Sequence, residues 1–345
     1  MSHNFKLVND VYSAEYEYCD PTLQPVSDPL AAHTLDTFQN AEIEAFDSVN
    51  ADKRLGELII HLPKEVEDDV NNGRKFILSI EFALHEPAGG LHFVLPRMKD
   101  GTLLRNAMHL FSYGEHNSAR MWFPCIDSYN ELCTWKIEVT VEAMMVAITA
   151  GELIDTVTSS DGKEKTYVYE LNVPTSACNI ALAVGPFECH IDPNMNEVKH
   201  YCLPHLMPIL KSTTATLHEA FEFYEEMLSV RYPYPAYKQV FVDEAYTDSH
   251  ICSSITIFST NLLHSSRIID QNPVSRFEQA LGIAHQFFGC FISRRSWYDA
   301  WLTIGISRYL TYQYLKATFG NNEYRYCVRQ AINKYPNLKM FVNCM

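Results

Sequence analysis

No apolar run in this chain approaches the roughly 20 residues of a membrane-spanning helix. Its first residues, MSHNFKLVND, hold no signal-peptide core, and the sequence contains no N-x-S/T sequon. None of the 10 cysteines stands in a C-x-x-C pair, which excludes zinc ribbons and dithiol redox motifs. Cys178, Cys202 and Cys290, each in an apolar setting, read as reduced core thiols, and the expected compartment is intracellular. Positive charge is also scarce: 27 Lys and Arg stand against 42 Asp and Glu, a net charge of −15. An acidic surface repels phosphate, so unaided nucleic-acid binding is not expected. The two modest basic clusters, Ser293-Arg294-Arg295 and Arg325 to Arg329, read as solvated helix ends and not as a nucleic-acid stripe.

What is present is a core-forming composition, 47% hydrophobic and 12% aromatic. At 345 residues the chain exceeds one typical core, so two domains are expected. In the first half, Ser13 to Tyr18 alternates like an exposed strand, and Pro25 to Ser48 is a loop or a short helix. Glu57 to Leu62, Lys75 to Leu84, Leu91 to Leu95, Lys136 to Ile148 and Thr166 to Val173 are strand candidates rich in branched residues. Glu65 to Gly73 is a charged connection, and Ser160-Asp161-Gly162-Lys163 is a hairpin turn. Ala177 to Phe187 is almost continuously apolar and is expected to be buried. This half therefore reads as all-β.

After Val198 the period changes. Ser212 to Leu228 is an amphipathic helix with Leu217, Phe221, Tyr224 and Leu228 on one face, ended by Tyr232-Pro233-Tyr234-Pro235. Lys238 to Val242 is a strand, and Lys316 to Arg329 is mostly helical. Between them, Phe277, Ala280, Leu281, Ala284, Phe288 and Phe291 fall at helical steps behind Asn272-Pro273, a helix-start signal. Asp299 is the cap of a second apolar helix carrying Trp301, Leu302, Ile304 and Leu310. Two buried helices, the first with His285 on its inner side, have the layout of a helical zinc site. Such a site needs two His one turn apart with a Glu between them as general base.

The stretch AHQFFG followed by W-x-x-x-W-L-x-x-G resembles the gluzincin aminopeptidases, whose motif is H-E-x-x-H, eighteen residues, then Glu. The resemblance puts the first His at Leu281, the base at Gly282, the second His at His285 and the third ligand at Ile304. Only His285 matches. One imidazole cannot hold zinc, which takes three or four ligands, so His285 reads as a hydrogen-bonded structural residue. Where that family carries G-A-M-E-N, whose Glu grips the substrate amine, this chain has Ser253 to Phe258, with Thr256 at the Glu position. No Asp or Glu occurs between Ser249 and Ile269. Ala119 to Asp127 (ARMWFPCID) resembles the family's A-R-x-x-F-P-C-x-D element, in which Arg120 and Asp127 are expected to pair while Trp122 and Phe123 fill a core.

WFPCIDSYNELCTWK, HQFFGCFISRRSW and Thr256 to Ser265 are further similar to a non-catalytic branch of this superfamily, the second subunits of the general transcription factor TFIID. That resemblance implies an α+β architecture. In that reading residues 1–190 would form an N-terminal saddle-like all-β domain lacking its opening strands, and residues 191–345 a partial, C-terminally truncated thermolysin-like domain, mostly helical. It implies a scaffold in promoter recognition and preinitiation-complex assembly, located in the nucleus. Its partners would be other TFIID subunits, with core-promoter DNA only in the context of the complex. No membrane, small-molecule substrate, cofactor or metal is assigned. The rival readings are an active zinc metallo-aminopeptidase and a cytoplasmic scaffold.

Overall fold

A computed structural model describes residues 5–7, 15–18, 35–50, 55–75, 77–85, 87, 89–113, 118–295 and 297–342. Ser13, Ala14, residues 25–34 and Phe76, all within segments assigned from the sequence, lie outside the described residues.

Alternation between half-buried and exposed residues selects strands through most of the first half. β1 (Phe5–Leu7) pairs antiparallel with β4 (Leu78–Ile80), and β2 (Glu15–Tyr18) with β3 (Leu58–His61). A four-stranded sheet runs in the order β5 (Leu91–Val94), β6 (His109–Ser112), β11 (Leu182–Gly185), β8 (Val146–Thr149). A three-stranded sheet runs β7 (Leu132–Glu142), β10 (Glu164–Ser176), β9 (Glu152–Thr158). Ser159 and Asp161 tie the β9–β10 turn through a 2.7 Å side-chain bond, as turn residues do.

The first half departs from its sequence reading in several places. Glu65 to Gly73 is not a plain connection, since α2 (Lys64–Asn71) occupies it. Val66 is buried while Glu67 and Asp68 face solvent, so the high charge belongs to the outer face of a helix. Pro25 to Ser48 ends in a helix of 14 residues, α1 (Leu35–Ser48), and with α2 it means that this half is not free of helices. Lys136 to Ile148 is two strands, because a turn at residues 143–145 carries β7 into β8, the Met145 N–H donating to the Glu142 carbonyl at 2.8 Å. β9 was not anticipated. Lys75 to Leu84 yields only the three residues of β4.

A five-stranded mixed sheet dominates the second half: β12 (Glu188–Ile191), β13 (Val198–Cys202), β14 (Tyr237–Val242), β16 (Ile255–Ser259) and β15 (Ser249–Cys252). β14 and β16 are buried along their whole length, as expected of central strands. The β12–β13 hairpin straddles residue 191, so the sheet of the second half takes its edge strand from before that position. The expected single helix Ser212 to Leu228 is two, α3 (Met207–Thr214) and α4 (Leu217–Leu228). Leu217, Phe221 and Tyr224 are buried on one face, and α4 ends with Ser229 left-handed at φ 54° just before the Tyr-Pro pairs. α5 (Asn272–Phe287), α6 (Ala300–Phe319) and α7 (Asn321–Val342) complete the chain. Neither Asn272 nor Asp299 caps its helix with a side-chain bond. Phe291 is exposed because α5 has already ended at Phe287, and α6 turns Trp301 and Leu302 outward, the former 74% exposed. Of its four expected buried apolar residues, only Leu310 is in the core.

The two halves share one core, in which Ile148, Leu171 and Ala183 pack with Val240, Ile255 and Cys290. A lysine crosses the seam. Lys238 on β14 is 3% exposed, and its Nζ donates to the Gly151 carbonyl and lies 5.0 Å over the Tyr169 ring. Burial, seconded by the nearby charge of Lys199, lowers its pKa to about 7, with Glu152 opposing. Gly151 sits at φ +89°, and a Cβ there would lie 2.4 Å from the Glu170 carbonyl oxygen, so only glycine fits.

Candidate functional site

α5 lies between the five-stranded sheet and the helices α4 and α6, and polar side chains fix its rotation. Gln286, fully buried, accepts from the Ser254 N–H at 2.7 Å and donates to the Cys252 carbonyl at 2.8 Å. Ser275 donates to the Leu262 carbonyl at 2.6 Å. Losing such partners strands buried donors and acceptors, so these bonds orient the helix as firmly as its apolar face does.

On the sheet side of α5, Gly282 meets β14 and β16. Tyr237 and Thr256 join hydroxyls at 2.8 Å in the space where a side chain at position 282 would begin. A Cβ on Gly282 would stand 2.9 Å from the Tyr237 hydroxyl, 3.3 Å from the Phe258 ring and 3.4 Å from the Thr256 hydroxyl. Burial raises the Tyr237 pKa well beyond the usual phenol range, so the pair stays neutral. Thr256 is therefore packed against α5 and carries no charge. Leu281, at 9% exposure, belongs to the interior.

On the other side, His285 and Ile304 face each other across a small cleft that also touches Thr303, Gly289 and Arg294. Its volume of about 70 Å³ holds a few waters. Ser307 on α6 lies 3.3 Å from His285 Nδ1 and within 2.7 Å of the Phe288 carbonyl and 2.9 Å of the Thr303 carbonyl. A hydroxyl has one proton; given to a carbonyl, it leaves the Ser307 oxygen to accept from Nδ1–H. Burial, then the charge of Arg294, lowers the His285 pKa to about 4, so the imidazole is neutral at pH 7. After α5 the chain curls back, with Cys290 N–H bonded to the His285 carbonyl at 3.1 Å. Gly289 at φ +144° lies against the imidazole, where a Cβ would fall 2.3 Å from Nε2.

Four of the five positions singled out in the sequence thus fall into two groups. Gly282 and Thr256 meet on the sealed side, His285 and Ile304 meet on the cleft, and Leu281 lines neither. Among the described residues no three His, Cys, Asp or Glu side chains gather in a metal-holding group. Arg294, read from the sequence as part of a solvated basic cluster, is half-buried with its guanidinium 3.9 Å over the Tyr129 ring. Tyr237 and Tyr129 were missed because nothing in their local spacing marks them. Arg120 and Asp127 pair at 3.4 Å, Arg120 also reaches the Val49 carbonyl at 3.3 Å, and Trp122, Phe123 and Trp135 stack edge to face beside them. That element is architectural.

Two family profiles match the chain: the Peptidase M1 N-terminal domain over residues 30–178 and the Peptidase family M1 domain over residues 213–340. Among curated proteins it is 50% identical to transcription initiation factor TFIID subunit 2 of Danio rerio, over 95% of this chain and 27% of that protein. It is 44% identical to TFIID subunit 2 of Drosophila melanogaster, over 94% of this chain and 27% of that protein. Endoplasmic reticulum aminopeptidase 1 of Homo sapiens is 25% identical over 71% of this chain and 26% of its own length. The chain spans just over a quarter of the length of the TFIID subunits it matches. The identity along nearly the whole chain, on a framework matched by both M1 profiles, makes it homologous to that part of TFIID subunit 2.

Proposed function

We propose that this chain is a non-catalytic, aminopeptidase-like scaffold within a TFIID subunit, acting in the nucleus in core-promoter recognition and preinitiation-complex assembly for RNA polymerase II. Its partners in this reading are other TFIID subunits, and promoter DNA is met only as part of the complex. The relatives' name supports the assignment to TFIID, and the net charge of −15 speaks against DNA binding by the chain alone. The division into residues 1–190 and 191–345 belongs to the same proposal.

The observation that carries the non-catalytic reading is the sealed side of α5. The place a general base would need is filled by the Tyr237–Thr256 pair, packed to 2.9 Å of a Cβ on Gly282. The residues present do not fit a catalytic zinc. Leu281 and Ile304 offer no donor, and a neutral His285 alone falls short of the three protein ligands such a site takes. An aminopeptidase step therefore has neither metal nor base to run on.

The test is purification of the tagged chain from nuclei, with mass spectrometry of what co-elutes. Stoichiometric TFIID subunits are the expected result. A preparation without them, or one that holds about one zinc per chain and cleaves aminoacyl substrates, overturns the reading.

A further inference from the structure

We propose that the connection between β14 and β15, residues 243–248, is an acid-released latch, held to the first half by His109 only while that imidazole is uncharged. The scaffold reading does not require such a device, and the proposal goes beyond it.

The contacts of His109 fix its charge state. The residue lies on β6 at 4% exposure, and its Nδ1 is 2.8 Å from the Ala107 carbonyl. A carbonyl only accepts, so Nδ1 carries the hydrogen. Across the ring, the Asp243 N–H donates to Nε2 at 3.2 Å. An amide N–H only donates, so Nε2 is bare. One neutral tautomer satisfies both contacts, whereas an imidazolium sets two hydrogens against each other at Nε2. The ring has little room to turn away. Phe187 stands edge to face at 5.7 Å, and a Cβ on Gly185 of β11 would fall 2.7 Å from the His109 Cβ.

This bond joins the halves. Ala107 and His109 belong to the first, while Asp243 directly follows β14 and its carboxylate accepts from the Thr260 hydroxyl at 2.6 Å. Glu244 then stands in left-handed backbone at φ 55°, which a non-glycine residue keeps only where its surroundings hold it.

Burial lowers the His109 pKa, against the raising effects of the Ala107 carbonyl and of the Asp243 and Glu244 carboxylates. Gly185 and Phe187, set against the ring by β11 and the segment after it, do not titrate. A parted connection frees the imidazole to charge at its ordinary value near 6.5. Falling pH therefore favours parting from about 6.5 downward, by up to about tenfold per pH unit.

β5 supplies a second histidine of the opposite preference. His92 Nε2 lies 3.5 Å from the Glu244 carboxylate, and its Nδ1 lies 2.9 Å from the Tyr246 hydroxyl. A protonated His92 donates to both oxygens, so this contact survives acid. Acid thus frees the connection at residue 243 while its middle stays attached, and the release is local.

The experiment follows the 345-residue chain by NMR, with nitrogen-15 in backbone and imidazoles, from about pH 7.5 to about pH 5. At the upper end His109 should show Nδ1–H and a bare Nε2. Exchange of the Asp243 amide, corrected for its intrinsic pH trend, should accelerate by up to about tenfold per unit below pH 6.5. Contacts between the His92 and Tyr246 rings, whose centroids are 4.9 Å apart, should persist throughout. His109→Phe should exchange rapidly at Asp243 at every pH, without the added acid dependence. The tautomer is read on the parent chain and stays decisive should that variant fail to fold. A His109 that is charged, or protonated on Nε2, at the upper end overturns the proposal. So does a corrected Asp243 exchange that stays flat, or one that rises only in step with the buried amides of β16, which is global unfolding. Each of these failures leaves the scaffold reading untouched.

Discussion

The two sides of α5 have met different fates. Toward the sheet, the position that the resemblance gives to a general base is Gly282, and two neutral hydroxyls pack against it. Toward α6, the cleft is still open to water, lined by a neutral histidine, an isoleucine and an arginine. A side chain removed from a packed interior must be replaced by atoms of similar volume, because an unfilled void costs stability. A side chain removed from a solvent-facing wall needs no such replacement. A new side chain at position 282 would therefore have to displace packed atoms, whereas the cleft side has room for one.

The sharpest way to break this comparison is to put the base back. Gly282→Glu forces a carboxylate against the Tyr237 hydroxyl and should lower the unfolding free energy by about 3–5 kcal/mol, the range for an uncompensated buried charge. Gly282→Ala should cost less, and Tyr237→Phe should recover part of that cost by removing the atom it strikes. Urea unfolding of the single and double variants measures all three. A Gly282→Glu protein as stable as the parent would show that the sheet side is not sealed.

The open side responds to pH. His285 has a folded pKa of about 4 against an ordinary value near 6.5. Between those values the unfolded chain binds the proton and the folded chain does not, so His285 removes stability as pH falls through that window. The full effect is on the order of 3 kcal/mol, reached near pH 4. Melting temperatures of parent and His285→Gln between pH 7 and 4 should diverge, the parent falling faster. Parallel curves would mean that the imidazole is freely hydrated.

A smaller effect tests whether the helix pair keeps the geometry of a metal site. Leu281→His with Ile304→Glu should melt below the parent without metal and gain stability on adding zinc, about 2–3 kcal/mol at a hundredfold excess over Kd. The parent should show no gain, and neither protein should hydrolyse peptides while Gly282 remains. Zinc-insensitive melting of the double variant would place the three positions too far apart.

Much of this arrangement is legible in the sequence because spacing along α5 and into α6 is a local property. The start of α5 follows from helical period and from Asn272-Pro273, and His285 and Ile304 are marked by the spacing of the motif that the stretch resembles. The strands at Lys238 to Val242 and Leu91 to Leu95 follow from composition. What filled the lost base does not, since Tyr237 is 45 residues from Gly282 and no local pattern tells where a tyrosine hydroxyl ends. Glu65 to Gly73 was misread because charge hides a one-sided apolar stripe as thin as Val66. Trp301 and Leu302 were misread as buried because apolar character alone does not say which way a helix is turned.

Lys238 has a consequence of its own. Its ammonium is held at the seam by a carbonyl and a ring from the other half, in a place that favours its uncharged form. Were the halves to part, the amine would return to water and hold its proton up to its ordinary range near pH 10.4. Parting the halves between about pH 7 and that value therefore takes up a proton, and the junction tightens as the solution becomes alkaline.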